Sequence, residues 1–394
     1  MVQSAEIIAA SPDLKRLHEG GFELSIKKAH LLVSSVPYVT ATRTVARGTL
    51  IFALTMATDT TTGRPPNHEA YFAGEQPHYA DGTPIKGIVN RQGIFKLADG
   101  IVAKVHFSSK PDTADIDYEQ KVRRYVDVLS DQARVLDPTA TAQTRRIVES
   151  EDDDSPFVFL DTNSARAQIT PITDKLKGLK IAIVGLGGTG SYVLDLVAKT
   201  PVKAIHLFDD DEYSLHNSYR SPGTPTRDQL RGRMLKVNYL AEMYSRAHKG
   251  VTPHPERVTD ANVAKLTGMN FVFLCMDPGP DKAQLVTFLV NGGTPFLDTG
   301  LGVEVASDKL VGMVNTITVT PDYKSHVEKV PVKAQGDDEL YASNIQIAEL
   351  NALNAVLAVI RWKKYFGFYD DDRHEHECSY TIGPNMLTNE ETAA

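Results

Sequence analysis

Apolar and polar positions divide this chain into two halves with different rhythms. In the first, SPDLKRLHEGG predicts a short helix with Ser11 at its cap, Pro12 in its first turn and Gly20 past its end. FELSI alternates with the period of a strand, and HLLVSSVPYV and GTLIFALTM are further strand candidates. Turn-forming clusters follow, TTGRPPNHE and YADGTP, and DIDYEQKVRRYVDVLSDQARVL closes this half as an amphipathic helix. Residues 1–135 are therefore expected to form a smaller α+β domain. The next stretch, PTATAQTRRIVESEDDDSP, is charged and poor in large apolar residues, which predicts a linker over 136–156.

From residue 157 strands and helices alternate. LKIAIVGLG is an apolar run broken by glycines, SYVLDLVAKT has helical spacing, and AIHLFDDD is a second strand. RDQLRGRMLKVNYLAEMYSRA predicts one helix, NFVFLCMD a strand, DKAQLVTFLVNGG a helix and TPFLDTG a strand. This order predicts a Rossmann-like domain over 157–394, a mostly parallel sheet with helices on both faces. YASNIQIAELNALNAVLAVIRWKKYFGFY adds a long helix packed on the sheet or at a subunit interface, its apolar run interrupted by Gln346, Glu349, Asn351 and Asn354.

The length of 394 residues fits two domains. A formal charge of -8 offers no footprint for nucleic acid. No run approaches the ~18 apolar residues of a spanning helix, and MVQSAEIIAASPDLKRL lacks the pattern of a secretory leader. Two distant cysteines, Cys275 and Cys378, make a disulfide framework or a cysteine-based zinc site improbable. A soluble protein of the cytoplasm is expected.

The chemistry begins at IAIVGLGGTGSYV, which sets Gly185, Gly187, Gly188 and Gly190 between a strand and a helix. Without a Cβ the backbone turns tightly and approaches phosphate oxygens. The helix that follows aims its free N–H groups and positive dipole end at the anion. An acid at the end of the second strand often holds a ribose hydroxyl, and Asp209 is placed for it. To this point NAD and ATP are both open.

The next segment, LFDDDEYSLHNSYRSPG, resembles the D-x-D…N-x-x-R signature of the ThiF/MoeB/ubiquitin-activating superfamily. Asp209 and Asp211 match its acids, Asn217 its asparagine and Arg220 its arginine. RGRMLKV resembles the family's G-x-x-K segment, with one residue inserted, and LCMDPG its C-T-D-N. DTNSARAQI resembles its S-R-Q segment. The resemblance covers approximately residues 160–320 and departs at Ser221 and Pro278, where many members carry glutamine and asparagine. It implies that Asp209 holds the ribose, that Asn217, Arg220 and Lys236 contact the phosphates, and that Asp277 holds magnesium. Arg166 would be the arginine that reaches into an active site, often that of a second subunit. The implied reaction is attack of a carboxylate on the α-phosphate of ATP, giving an acyl adenylate and pyrophosphate. The implied substrate is the C-terminal glycine of a ubiquitin-like or sulfur-carrier protein, with a peptide or a modified-tRNA carboxylate as alternatives within the superfamily, a conjugating enzyme as a further partner and a homodimer as the assembly.

Charge collects on phosphoryl oxygens in that transition state, which is the task arginine and lysine suit. Magnesium keeps most of its waters, so one carboxylate suffices. Taken singly, Arg220 and Lys236 are ordinary surface cations and Asp277 an ordinary helix cap before Pro-Gly-Pro; their joint order along the strand–helix framework carries the reading. A nicotinamide-dependent oxidoreductase would use Asp209 but gives Asn217, Arg220 and Asp277 no task. A non-catalytic ATP-binding scaffold or sensor fits the lack of an obvious transfer cysteine: Cys275 falls in a buried strand, and Cys378 lies by His374 and His376, where a metal or nucleophile competes with an alternating edge strand. The first half carries PYV and H-x-x-Y-F-x-G-E-x-P, resembling an uncharacterised domain that accompanies ThiF-like domains. His68, Glu75 and His78 could gather there as metal ligands or an acid–base pair, or serve as turn and surface groups.

Overall fold

The computed structural model describes residues 4–146, 155–159, 161–167, 169–333 and 345–391. The chain forms two compact units, Met1–Ser150 with Phe159–Thr170, and Glu151–Val158 with Pro171–Ala394.

The first unit runs α1 (Ser4–Ala10), α2 (Pro12–Glu19), β1 (Glu23–Lys27), β2 (His30–Val39), β3 (Val45–Ala53), β4 (Glu69–Ala73), β5 (Val89–Ala98), β6 (Ile101–Ser108), α3 (Tyr118–Leu136) and α4 (Thr162–Ala167). Its six strands are all antiparallel, in the order β1-β2-β3-β4-β6-β5. Leu14 and Leu17 of α2 and Val122, Tyr125 and Leu129 of α3 pack on Leu31, Leu50, Phe52, Phe72 and Phe107 of the sheet. Full burial of each such side chain stabilises by about 1.5–3 kcal/mol. Asp117 caps α3 by accepting the Gln120 N–H. Ser11 precedes α2 as expected, but its hydroxyl accepts the Thr62 N–H and leaves the helix uncapped by a side chain. Residues 137–146, read from composition as linker, carry Ala140 and Ala142, both buried, and the Thr141 carbonyl accepts from Arg47. Residues 147–154 lie outside the described residues.

After the turn α5 (Thr170–Thr173), the second unit runs β7 (Lys180–Val184), α6 (Gly188–Val197), β8 (Ala204–Phe208), α7 (Arg227–Arg231), α8 (Lys236–Tyr244), β9 (Val251–His254), β10 (Phe271–Leu274), α9 (Pro280–Gly292), β11 (Phe296–Ala306), β12 (Lys309–Val319), α10 (Ala348–Tyr365), β13 (Glu375–Thr381) and β14 (Met386–Glu391). The eight strands are ordered β14-β13-β12-β11-β10-β7-β8-β9. The run from β11 to β9 is parallel, and β12, β13 and β14 extend it antiparallel. Alternation along β7 explains both faces: Ile181 and Ile183 pack with α6, α8 and α10, and Ala182 and Val184 with α9. The expected Rossmann-like architecture is therefore present.

Two local readings need correction. The stretch read as one helix from Arg227 is two, broken at Gly232–Leu235, where Arg233 has φ 47° and Leu235 bridges to Glu212. The break starts α8 at Lys236. The histidine-bearing strand β13 is not an edge; it lies between β12 and β14.

Candidate functional site

The glycine loop joins β7 to α6 at the C-terminal edge of the parallel strands, where doubly wound sheets bind ligands. Gly185 has φ 89°, and a Cβ there would lie 2.4 Å from the Cys275 carbonyl oxygen. A Cβ on Gly190 would lie 1.9 Å from the Gly185 carbonyl oxygen, and one on Gly188 would lie 2.1 Å from Asn351 Nδ2. A Cβ on Gly187 would instead meet nothing nearer than Gln346 Oε1 at 4.0 Å. The loop is thus braced from below and open at Gly187, a cradle a side chain would fill.

Asp209 fastens the loop to β8. The Leu186 N–H donates to its Oδ2 at 2.7 Å, and the Asp211 N–H donates to its Oδ1 at 2.9 Å. Lys236 Nζ lies 3.4 Å from Asp209 and donates to Asp211 Oδ2 at 2.6 Å. Its backbone N–H also donates to the Asp211 carbonyl, so the break before α8 delivers this lysine to the acids. The Asp209 side chain is 8% exposed and its oxygens point inward, whereas that of Asp211 is 65% exposed. The Lys236 ammonium holds the Asp211 carboxyl below its usual range.

Asn217 is buried, and its Oδ1 accepts the Ser214 N–H in a capping box. Arg220 follows that single turn, and its Nε is buried without a hydrogen-bond partner. An orphaned guanidinium N–H suits an anionic ligand. Asp277 lies exposed on the loop after β10. Carboxylate oxygens suit magnesium, and Asp209, Asp210 and Asp211, whose ligand atoms lie within 4.8 Å of one another, are the one metal-competent group of three among the described residues. Arg166 is an exposed residue of α4 in the first unit, a helix whose start is capped by Asp161 accepting the Ser164 N–H.

Sequence reasoning missed the floor of the loop. Gln346 Oε1 accepts the Gly188 N–H at 3.3 Å, and Asn351 Oδ1 accepts the Thr189 hydroxyl at 3.0 Å. Asn354, also fully buried, donates to the Gly300 carbonyl at 2.9 Å. The signal was present as polar interruptions of an apolar helix. Behind the loop after β10, Lys282 and Asp298 form an ion pair at 2.6 Å with each side chain 2% exposed, and Lys282 Nζ also reaches the Met276 carbonyl at 3.3 Å.

The cysteine candidates do not gather into a site. Burial pushes the Cys275 thiol up to about 12 and the Cys378 thiol up to about 11. His376 packs on His326 and Tyr323, while His374 is exposed and 3.5 Å from Asp371. In the first unit His68 Nε2 contacts Ser108 Oγ, the Glu75 N–H donates to the Tyr38 hydroxyl, and His78 Nδ1 donates to the Gln76 carbonyl. These three residues do not form a metal-competent group.

A doubly wound sheet with a braced glycine loop and acids on the neighbouring strand defines a nucleotide-binding α/β domain of the Rossmann type. The ThiF family model matches residues 162–365, more than half of the chain, and the chain belongs to the ThiF family. Residues 12–162 match a domain of unknown function, DUF6791. The chain is 30% identical over 124 residues to the tRNA threonylcarbamoyladenosine dehydratase of Escherichia coli (strain K12), covering 30% of this chain and 45% of that protein. It is 27% identical over 148 residues to the adenylyltransferase and sulfurtransferase UBA4 of Saccharomyces cerevisiae, covering 37% and 31%. The chain thus spans less than half the length of these curated relatives. Among solved structures, E. coli MccB with MccA-N7isoASN is 16% identical, with a TM-score of 0.44 over 56% of this chain and 66% of that one. PaaA is 15% identical, with a TM-score of 0.47 over 86% and 97%. No helix among the described residues is long and apolar enough to cross a membrane.

Proposed function

We propose that this chain adenylates a carboxylate with ATP. The observation that carries the reading is Lys236, delivered by the break before α8 to Asp209 and Asp211 beside the glycine loop. In the reaction a carboxylate oxygen attacks the α-phosphorus, the bond to the bridging oxygen breaks, and pyrophosphate leaves with its electron pair. Gly185, Gly187, Gly188 and Gly190 let the backbone approach the phosphates. Arg220 and Lys236, with Asn217 as a further phosphate contact, stabilise the charge that develops on the phosphoryl oxygens, and Arg166 is the arginine that reaches into the active site of a second subunit. Asp209 and Asp211 set the ribose side of the site. Magnesium, held by Asp277, would neutralise phosphate charge and help pyrophosphate depart.

The substrate proposed is the C-terminal glycine of a ubiquitin-like or sulfur-carrier protein, bound by a cytoplasmic homodimer. UBA4, by its name an adenylyltransferase and sulfurtransferase, supports this reading. The name of the E. coli relative brings in a tRNA-borne carboxylate, which the net charge of -8 disfavours. Two raised thiols favour transfer of the acyl group from the adenylate, with AMP leaving, without an enzyme thioester. ATP–pyrophosphate exchange tests the reading: it should depend on a carrier protein with an intact terminal glycine and vanish in Asp277→Ala with circular dichroism unchanged. No exchange with any carboxylate partner would sink adenylation, and exchange surviving in D277A would sink the magnesium assignment. Thermal shifts with ATP–magnesium and with NAD separate the oxidoreductase alternative.

A further inference from the structure

The first unit contains an open cleft of about 600 Å³ at the outer edge of its sheet. Lys86, Arg91, Asn90, Gln92, Gln76 and His78 line it, with no carboxylate among the lining residues. Strands β5 and β6 carry Arg91, Lys96 and Lys104 and no Asp or Glu, within a chain of net charge -8. No ion pair involves these three cations or Lys86 among the described residues. Arg91 is steadied over the Phe95 ring at 5.8 Å, and Phe95 packs on Tyr71 and His106. Asn90 donates to His106 Nδ1 at 3.2 Å. His78 is 8% exposed. A carbonyl only accepts, so the contact of Nδ1 with the Gln76 carbonyl fixes the proton there and leaves Nε2 as its remaining polar atom.

Edge protection accounts for part of this. Cations and bulges blunt an unpaired edge, and β5 has register shifts at Val89/Arg91 and Gln92/Phe95. It does not account for a concavity that gathers two cations and three carboxamides and no acid. The same bulges make β5 a poor template for strand addition, so recognition falls to side chains. Lys86, Arg91, Asn90 and Gln92 are all exposed, so a small molecule would not be enclosed as ligand pockets enclose theirs. A protruding acidic side chain on a larger partner fits.

We propose that this cleft binds an acidic segment of a partner polypeptide, its carboxylates held by Lys86 and Arg91 and oriented by the amide N–H groups of Asn90 and Gln92. The site lies in the first unit and does not rest on the adenylation reading. Fluorescence anisotropy on the full chain tests it with a labelled Gly-Glu-Glu-Ala-Glu-Gly peptide and its glutamine counterpart. The glutamate peptide should bind more tightly, and more weakly as salt rises. Lys86→Glu with Arg91→Glu should weaken it roughly tenfold or more, about 1.4 kcal/mol, with circular dichroism and pyrophosphate exchange unchanged; both residues are exposed, so the fold is not at risk. Equal binding of the two peptides, or full affinity in the double variant, overturns the proposal. Free citrate saturating the site as tightly as the peptide overturns the polypeptide as its occupant.

Discussion

Replacing Lys282 with methionine removes one charge from a pair that water barely reaches. The Asp298 carboxyl is 2% exposed and 2.6 Å from Lys282 Nζ. Burial pushes it from 3.8 up to about 6, while the lysine pulls it back. That rise corresponds to roughly 3 kcal/mol against the ionised form even with the partner present. Losing one partner of a buried pair typically costs about 3–5 kcal/mol, a large share of the ~5–15 kcal/mol that holds a domain folded. The sign with pH follows from linkage. A carboxyl whose folded value exceeds its unfolded value favours the native state below about 4, and that contribution is lost as pH rises to about 6. Without the lysine the folded value climbs further and the loss extends into the neutral range. Urea unfolding followed through Trp362, the single tryptophan and buried in the same unit, should show K282M weakened by about 3–5 kcal/mol at pH 8 and by clearly less at pH 5. Lys282→Met with Asp298→Leu should recover most of the deficit, because two apolar side chains leave no stranded charge. A deficit under ~1 kcal/mol at pH 8, or one independent of pH, would refute the assignment of this pair as a coupled buried charge.

Gly190→Ala should lower the Trp362 melting midpoint and abolish the ATP-dependent shift. Its Cβ would meet a backbone carbonyl at 1.9 Å, and overpacking of about 1–3 kcal/mol outweighs the ~1 kcal/mol gain in helix propensity; an unchanged melt sinks that claim. Asn351→Ala strands the Thr189 hydroxyl and should cost about 1–2 kcal/mol, with Thr189→Val adding little on top in a double-mutant cycle. Additive losses would mean the two side chains are not coupled. Neither thiol should react with a disulfide reagent at pH 8 in the native protein, since burial holds Cys275 and Cys378 far above that pH. Prompt stoichiometric labelling would restore a nucleophilic cysteine as a candidate.

What the amino-acid order reveals and what it hides divide along the range of the forces involved. The apolar run of β7, the glycines after it and the amphipathic α3 are specified by neighbours within a few residues, and periodicity reports them. Strand β5 has no such signature: residues 90–94 are all exposed, and only pairing with β6 makes them a strand. The break between α7 and α8 lacks proline and turns on Arg233 in a left-handed conformation, a cost that helical spacing does not show. The site follows the same division. Asp209, Asp211, Asn217 and Arg220 fall within twelve residues of one another on one strand exit, so a motif carries them together. Lys282 and Asp298 sit sixteen residues apart at the start of a helix and in a strand, and each taken alone is an ordinary polar residue. The parallel pairing of β10 with β11 closes that gap, setting Leu274 opposite Asp298. The first turn of α9 brings the lysine to the Met276 carbonyl, one residue before Asp277. Burying an ion pair there opposes stability relative to apolar side chains, so its presence beneath the loop that carries Asp277 is accounted for by position: it fixes the path of that loop.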